Sequence, residues 1–355
     1  MICRINVAIS TAIFALALGG EPVTAHAPML LVRVLDSTSG QALPNAEVID
    51  FSSGIDRFTD QRGQTRLLWP PNGQLRIRVR QIGFRFVDRE VSRDTSVSHD
   101  VDTITFALPR VRYVLPDVVI AGSSHCVADV DSASKLLSIA VLEQLRLSAE
   151  RYEIFRRTYP FHLTVLRRTA DVGHDGRAKR IQERTEEAES EQWTEHYTPG
   201  RVVERKGRGF SIPVLFLESL ADPQFWDHHC FVVRGVESKD SSRTVRMEFS
   251  VDASVKGADW EGSVLVDSAT SLLKRVDFKL TGLRDDDLPR RYEGYTTFVS
   301  PSPFIVMPES TLAIWWRQRG PVDGKWGQPD AAQLLHVRSV IYRKSAPPGN
   351  QASPP

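Results

Sequence analysis

The chain has few cysteines and almost no net charge. Its 355 residues include three cysteines, and 45 Lys and Arg residues against 44 Asp and Glu residues leave a formal net charge of +1. This balance argues against a nucleic-acid partner, because affinity for a phosphate backbone depends on an excess of basic side chains. The length predicts about two domains, and a hydrophobic content of 41% is enough to bury a good core.

The chain also lacks the short motifs of common catalytic and cofactor sites. It has no Gly-x-Ser-x-Gly nucleophile elbow, no phosphate-cradling Gly-rich Lys loop and no dinucleotide-binding fingerprint. It has neither a His-x-x-Glu pair nor a His-Glu-x-x-His helix, so no hydrolytic zinc site of that type is expected. We therefore predict that the protein is not an enzyme and uses no cofactor. An unrecognised hydrolase is the remote alternative.

Two acidic clusters are candidates for chemistry. One is a run of four glutamates, Glu186, Glu187, Glu189 and Glu191, and the other is three consecutive aspartates, Asp285, Asp286 and Asp287. Paired carboxylates in the first could act on a glycosidic bond, but a charge run is usually a solvated face. The aspartates could offer oxygen ligands to calcium, but without spacing between them they rarely all reach one ion. We predict a solvated face for the glutamates and a polar hairpin loop for the aspartates.

The N-terminus has the pattern of a secretory signal. A short basic segment, residues 1–4, precedes an apolar run at residues 5–20 that is short for a transmembrane helix. Small residues follow, and we predict removal of residues 1–25 by cleavage after Ala25, with an uncleaved membrane anchor as the alternative. No later stretch is long and apolar enough for a transmembrane helix. We expect export to the periplasm or to the outer-membrane periphery of a Gram-negative-type bacterium.

The part of the chain behind this signal follows the two-residue period of half-buried strands. In residues 75–80, Leu, Ile and Val alternate with three arginines, which predicts one buried and one solvated face. An anion site is the alternative reading of the arginine row. Turn chemistry, such as that of Asp60 and Gly63, separates the strands. These features predict a small β-sandwich.

Four segments of this region carry a resemblance to a known family: VRVLDSTSGQALPNAEV, FTDQRGQTRL, LRIRVRQIGF and LPDVVIAG. Together they resemble the carboxypeptidase regulatory-like domain, which is common ahead of outer-membrane receptors and in other secreted bacterial proteins. The resemblance implies a seven-stranded, transthyretin-like β-sandwich over residues 29–122. It implies a fold and no activity, because these domains lack the peptidase zinc site.

One long helix and a second β-rich domain are predicted to follow. Asp131 and Ser132 form an N-cap pair, and apolar side chains then recur at helical spacing through about Tyr152, so residues 123–152 are assigned to a linker and this helix. Strand patterns lie at 161–168, 179–184, 201–205, 231–236, 244–251, 262–266, 272–280, 295–299, 311–317 and 334–342. They predict a mainly β protein in which residues 153–344 form a curled antiparallel, half-barrel-like sheet. Residues 345–355 are rich in Pro, Ser, Ala and Gly, which predicts a disordered tail.

The second domain carries its own resemblance. The segments ADPQFWDHHCFVV, MEFSVDASVKGADWEGSVLVDSATSLLKRVDFKLTGL and YEGYTTF resemble uncharacterised secreted bacterial proteins with the same regulatory-like domain at their N-terminus. More loosely, the domain is similar to the LolA-type half-barrels that carry lipoproteins. Those carriers lack the N-terminal sandwich, so no lipid-contact residue is transferred to this chain.

Aromatic side chains on the predicted strands are the candidate ligand site. They are Trp260, Phe278, Tyr295, Phe298, Trp315 and Trp316. They either line an apolar ligand cavity or belong to an ordinary aromatic-rich core. Adjacent residues of a strand point to opposite faces, so one of the two neighbouring tryptophans must lie on the outside of the sheet.

Two cysteines remain after the predicted signal, Cys126 and Cys230. In an oxidising compartment they predict a disulfide bond. A zinc site of mixed His and Cys ligands is the alternative, since each cysteine follows a histidine. His229 and Cys230 are adjacent and point oppositely on a strand, so His228 is the better partner for Cys230 in such a site.

The sequence therefore favours a secreted, non-enzymatic envelope protein. Its second domain is expected to bind an apolar ligand, such as a lipid, or a protein partner. A structural or assembly module without a ligand is the alternative.

Overall fold

The structure is a computed structural model, and it describes residues 28–93, 101–112, 132–173, 175–190, 197–206, 209–239, 242–283, 289–302, 305–317 and 327–343. The predicted signal, the linker that contains Cys126, the aspartates at 285–287 and the C-terminal tail lie outside these residues.

Seven strands form the first domain. They are β1 (Met29–Asp36), β2 (Glu47–Asp50), β3 (Ile55–Phe58), β4 (Gln64–Leu68), β5 (Gln74–Arg80), β6 (Val87–Ser92) and β7 (Val101–Leu108). One sheet has the order β4-β1-β7, with β1 and β7 parallel, and the other has the order β3-β2-β5-β6. The predicted small sandwich is therefore confirmed, while its membership of the regulatory-like family stays a prediction.

The alternation in β5 shows why this segment is a strand. Leu75, Ile77 and Val79 are buried in the sandwich core, which both sheets share. The intervening arginines face outwards, and Arg78 makes two hydrogen bonds of 2.7 Å to Asp88 on the neighbouring strand. The arginine row is thus a half-buried strand face with cross-strand ion pairs.

The helix α1 (Ser132–Thr158) starts at the predicted cap but ends later than the expected Tyr152. The extra turn is held by tertiary contacts, because Phe155 packs against Phe161 and Tyr342 with ring centroids 6.1 Å away in each case. Burial of these aromatic side chains stabilises the last residues of the helix, although their sequence pattern gives only a weak preference for helix.

The second domain is one curled, open antiparallel sheet of nine strands. Its strands are β8 (Phe161–Val172), β9 (Ala178–Glu189), β12 (His229–Lys239), β13 (Ser242–Val251), β14 (Asp259–Asp267), β15 (Leu273–Thr281), β16 (Arg291–Ser302), β17 (Ile305–Trp316) and β18 (Ala331–Tyr342). The order is β12-β13-β14-β15-β16-β17-β18-β8-β9. Between β9 and β12 lie the hairpin β10 (Glu204–Lys206) and β11 (Gly209–Ser211) and the short helices α2 (Leu217–Ala221) and α3 (Pro223–Asp227).

Helix α1 packs against one face of the curled sheet, which is termed the inner face. Leu137, Val141 and Leu145 of the helix share a core with Met247 and Phe249 of β13 and with the matching positions of the next strands. The opposite side is the outer face. Because side chains alternate along each strand, the two faces carry different residues of the same strands.

The same helix also contacts the sandwich. Gln144 accepts a hydrogen bond of 2.7 Å from the backbone N–H of Gly83, and Arg151 donates to the Gln81 side chain and to the carbonyl of Asn45. Burial lowers the pKa of Arg151 to about 10. The helix therefore joins the sandwich to the curled sheet through buried polar contacts. Within the described residues, no helix has the length and apolar character that crossing a membrane requires.

Candidate functional site

Three of the predicted aromatic residues belong to a row of rings on the inner face. Trp260 and Phe278 are buried with centroids 5.2 Å apart, and both neighbour Tyr292. Tyr292 lies opposite Trp315 in the pairing of β16 with β17, and their rings stack with centroids 6.2 Å apart. The row begins in the buried core under α1 and ends at Trp315, which is only partly buried.

The structure places the other predicted aromatics elsewhere. Phe298 is buried in the same core. Tyr295 lies on the outer face, where the guanidinium of Arg275 sits 3.9 Å from its ring centroid. Trp316 lies on the opposite side of β17 from Trp315, as strand geometry requires, and its Nε1 donates to the carbonyl of Gly327 at 2.8 Å. The six aromatics do not share one cavity, and whether any of them binds a ligand stays a prediction.

A pocket of about 600 Å³ opens where the inner-face row ends, and it is termed the inner pocket. Its floor comes from β8, β9 and β18, its apolar wall from Tyr292 and Trp315, and its rim from the β10–β11 hairpin. Phe210 of that hairpin meets Trp315 edge-on with centroids 6.1 Å apart. This volume falls in the usual range of small-molecule sites.

The polar lining of the inner pocket is rich in arginine. Arg167 is already paired, because it makes two hydrogen bonds of 2.7 and 3.2 Å to the carboxylate of Glu186. Arg180 and Arg317 are exposed at the pocket, and neither guanidinium pairs with a carboxylate of the described residues. The backbone N–H of Arg317 donates a hydrogen bond to the carboxylate of Asp330. Asp171 is the one acidic residue of the lining. The pocket therefore carries an excess of positive charge next to an aromatic wall.

Arg180 stands at an irregularity of the sheet. Between the pairs Thr169–Gln182 and Asp171–Lys179, strand β9 has two residues where β8 has one, so it contains a β-bulge. Arg180 has a φ of 48°, in the left-handed region that normally favours glycine. Bulges redirect side chains, and backbone strain of this kind often accompanies function.

Trp315 contributes a second unusual feature. Its indole Nε1 is buried and has no hydrogen-bond partner in the described part of the chain. A buried N–H donor without an acceptor is costly, and such groups normally find a partner. The guanidinium of Arg317 lies 5.8 Å from the ring centroid of the same residue.

A second cleft, of about 500 Å³, lies on the outer face across β12 to β17 and is termed the outer cleft. Its charges are mostly paired across the sheet, in the bonds Arg234–Glu248 at 2.7 Å, Arg275–Asp277 at 2.6 Å and Lys279–Glu261 at 3.1 Å. The hydroxyl of Ser263 is buried there without a hydrogen-bond partner in the described ranges. These pairs neutralise the outer cleft locally.

Cys230 lines the outer cleft, whereas its neighbour His229 is buried on the other side of β12, as predicted. The ring nitrogens of His229 lie 2.8 and 2.9 Å from the carbonyl oxygens of Phe225 and Trp260. Cys126 and His125 are outside the described residues, so the disulfide and its zinc alternative both stay predictions. In the ranges that the structure describes, no three His, Cys, Asp or Glu side chains converge as a metal site would require.

Asp259 organises the buried polar network around His229. Its carboxylate accepts hydrogen bonds of 2.7 Å from the Tyr197 hydroxyl, from Gly200 N–H and from Trp260 N–H, and it lies 3.8 Å from His229. Burial raises the pKa of Tyr197 and lowers that of His229, although Asp259 opposes the second shift. The network fastens the loop after β9 to the start of β14.

The glutamate run on β9 is a set of ion pairs rather than a carboxylate dyad. Glu186 binds Arg167 and Arg184, and Glu189 binds His162 and Arg343. Hydrogen bonds from Arg167 and Arg184 lower the pKa of Glu186, so its carboxyl is ionised and unsuited to act as a general acid at neutral pH. Glu191 lies outside the described residues.

Sequence reasoning did not identify Arg180, Arg317 or Tyr292 as site residues. The available signal was the Tyr292-x-x-Tyr295 spacing, which places two aromatics on opposite faces of one strand. Nothing in the sequence indicates the bulge at Arg180, because it depends on the pairing with β8.

Comparison with known proteins gives structural likenesses only. No family model matches the chain, and no curated protein matches it. Similar solved structures include a DUF1329 family protein from Desulfovibrio piger, with 10% identity over 59% of this chain and 95% of that chain and a TM-score of 0.31. A LolA superfamily protein from Nitrosomonas europaea is 12% identical over 59% of this chain and 94% of that one, with a TM-score of 0.29.

A protein of unknown function from Bacteroides fragilis is 11% identical over 88% of this chain and 99% of that chain, with a TM-score of 0.19. One of these structures is a LolA superfamily protein, and none of the three is described as a carboxypeptidase regulatory-like domain. With TM-scores this low, the likenesses do not assign the chain to a family.

Proposed function

We propose that this is an exported, non-enzymatic binding protein that holds an amphipathic small molecule in the inner pocket. The observation that carries the proposal is the pocket itself, about 600 Å³ of space between the aromatic wall and the polar strands β8, β9 and β18. Ligand sites typically combine such an apolar wall with a few fixed polar groups.

The position of α1 refines the expectation of a purely apolar ligand. The helix packs Leu137, Val141 and Leu145 onto the curled sheet, so Trp260 and Phe278 are buried, although Trp260 also borders a smaller cavity of about 260 Å³. Space on the inner face remains beyond Trp315, where polar side chains form the other half of the lining. An amphipathic molecule matches both halves, with its apolar part against Trp315 and Tyr292.

The competing proposal is a structural module of the envelope without a ligand. The buried core under α1 supports that reading, because a sheet that packs its apolar side chains against a helix needs no ligand to be stable. The inner pocket favours the binding proposal, since a module without a ligand needs no space of about 600 Å³ beside the partly buried Trp315.

The binding proposal is tested by titration with N-phenylnaphthylamine, an uncharged apolar dye whose fluorescence rises in apolar surroundings. We expect saturable binding that weakens about tenfold in Trp315→Leu, which corresponds to about 1.4 kcal/mol of lost contact. Trp316→Leu is the matched control, because this tryptophan is adjacent but lies on the other face. Thermal melts of both variants report whether they are folded.

Equal weakening by both variants, or no saturable binding to the wild-type protein, would favour the structural module instead.

The proposal of export has a separate test. The N-terminus of the mature protein should be His26, because small residues at 23–25 precede it. A mature protein that still begins at Met1 would contradict export by signal cleavage.

A further inference from the structure

We infer that the ligand of the inner pocket carries an anionic group, bound by Arg180 and Arg317 beside the Trp315 ring. This inference rests on the proposed binding function and deepens it by naming the chemical class of the ligand. The class is an anionic amphiphile, in which a carboxylate, sulfonate or phosphate group is joined to an apolar body.

The first argument is the charge balance of the pocket. Arg167 is satisfied by Glu186, which Arg184 also contacts, and Asp171 is the single acid of the lining. The guanidinium groups of Arg180 and Arg317 therefore line the pocket without a carboxylate partner in the described part of the chain, while the Asp330 carboxylate is held by the backbone N–H of Arg317. Arginine binds carboxylate and phosphate through a planar fork of N–H donors, which makes it the residue best suited to this task.

The second argument is the backbone at Arg180. An arginine with a φ of 48° occupies a conformation that glycine adopts at lower cost, so the side chain is present despite the strain. The bulge in β9 places this residue on the pocket lining. Glycine at this position would remove the backbone strain. A binding role for the arginine side chain would explain why the strained residue is present instead.

The third argument is the set of donors around Trp315. The guanidinium of Arg317 lies 5.8 Å from its ring centroid. The neighbouring pocket residues Gln182 and Gln333 add amide donors. A ligand with acceptor oxygens is therefore matched, and a cationic ligand is not.

The apolar wall limits how the anion is presented. Tyr292 and Trp315 stack in one row, and Phe210 closes it edge-on from the β10–β11 hairpin. A free inorganic anion would leave this wall in contact with water. An anion attached to a flat or aliphatic body covers the wall and reaches both arginines within one pocket of about 600 Å³.

The experiment uses two dyes that differ by one charged group. Anilinonaphthalene sulfonate is the anionic partner of N-phenylnaphthylamine, with the same ring system. In the full mature protein, Arg180→Gln and Arg317→Gln should each weaken binding of the sulfonate dye about tenfold and leave the uncharged dye within about twofold. Arg243→Gln, an exposed arginine on β13 away from the pocket, is the matched control and should change neither affinity.

Competition experiments distinguish an anion attached to an apolar body from a free inorganic anion. Decanoate, an anionic amphiphile, should displace the sulfonate dye at concentrations where inorganic phosphate does not. Displacement by phosphate at the same concentration would overturn the amphiphile in favour of a free anion. Raising the salt concentration should weaken binding of the sulfonate dye and leave binding of the uncharged dye unchanged, because only the first depends on charge.

The outcomes also separate this inference from the binding function beneath it. Saturable binding of both dyes with no effect of either arginine variant would overturn the anionic ligand and leave the pocket as an apolar binding site. No saturable binding of the uncharged dye would overturn the binding function itself. Arg180→Gly, which removes the side chain and relieves the backbone strain, guards against misfolding as an explanation for weaker binding.

Discussion

The two clefts of the curled sheet are similar in size but differ in how their charges are used. In the outer cleft, Arg234, Arg275 and Lys279 each meet a carboxylate within 3.1 Å. In the inner pocket, the guanidinium groups of Arg180 and Arg317 have no such partner among the described residues. Charged residues alone therefore do not mark a site, because a paired arginine supports the sheet while an unpaired one remains available to a ligand.

The contrast extends to the depth of the polar groups. Asp259 and His229 are fully buried and hydrogen-bonded. The charged side chains of the outer cleft are half-exposed. Exposed ion pairs contribute little to stability, and breaking a buried one is expensive. The comparison leads to four predictions, ordered by expected effect.

The largest effect is expected from Cys230, the cysteine of the outer cleft. If it is bonded to Cys126, the bond closes a loop of about 100 residues and stabilises the protein by about 4–5 kcal/mol in the chain-entropy model. Urea unfolding of the mature protein with and without reductant measures this difference. Cys230→Ser should lose the same amount, while Ser250→Ala, at the paired position on β13, should not. Two free thiols, counted in denaturant without reductant, would refute the bond.

The second prediction concerns the buried hydrogen-bond network around Asp259. Asp259→Ala leaves the Tyr197 hydroxyl and two backbone N–H groups without their acceptor, so it should lower the free energy of unfolding by about 3 kcal/mol. Asp277→Ala in the outer cleft breaks a half-exposed pair and should cost less than about 0.5 kcal/mol. Urea denaturation of both variants gives the comparison, and equal losses would show that the two faces do not differ in this way.

The third prediction is a pH dependence from Glu218 on α2. Burial raises the pKa of Glu218 to about 6 from an ordinary value of 4.5, so the folded state holds this proton more tightly than the unfolded state. Its contribution to stability is complete below pH 4.5 and is lost as the pH rises through 6. Glu218→Gln should therefore stabilise the protein by about 2 kcal/mol at pH 8 and have no effect at pH 4.

Melting temperatures of the two proteins across this pH range provide the measurement. Glu237→Gln is the control, since this glutamate of β12 is exposed and pairs with Arg246 at the surface. A stabilisation by Glu218→Gln that is the same at pH 4 and pH 8 would show that the ionisation of this carboxyl is not its cause.

The smallest effect is expected at the bulge of β9. Because Arg180 has a φ of 48°, Arg180→Gly should be more stable than Arg180→Ala by about 1 kcal/mol, since both lack the arginine but glycine alone accepts this conformation freely. At Lys279, in a regularly paired part of β15, the order should reverse, with alanine more stable than glycine. Chemical denaturation resolves both differences.

Local patterns in the sequence were sufficient for the strands but not for their partners. The alternation of Leu75, Ile77 and Val79 with arginine predicts a strand with a buried face, and the structure buries those three side chains. The two-residue period is a property of each segment by itself. The fold class, a small sandwich followed by a curled antiparallel sheet, was therefore predictable.

The site was less predictable because it depends on pairings between distant segments. Trp315 was identified as a candidate, but its neighbour Tyr292 was not, since the register of β16 with β17 decides which tyrosine of that strand faces inwards. The role of Arg180 depends on a bulge that exists only in the pairing of β9 with β8. The predicted end of helix α1, at about Tyr152, was also too early, because contacts of Phe155 with Phe161 and Tyr342 extend the helix.

The pairing of β18 with β8 has a consequence for the order of folding. It joins the last strand of the described sheet to its first strand, with Tyr342 opposite Phe161, so the polar half of the pocket floor forms only when both ends of the domain are present. Such sequence-distant pairing makes loop closure costly and folding slow. During synthesis, β8 must therefore wait for the chain between Val172 and Ala331 before its partner β18 exists. A chain that crosses a membrane unfolded, as proposed for this protein, gains from that delay, because the binding domain cannot close until the whole sheet has been made.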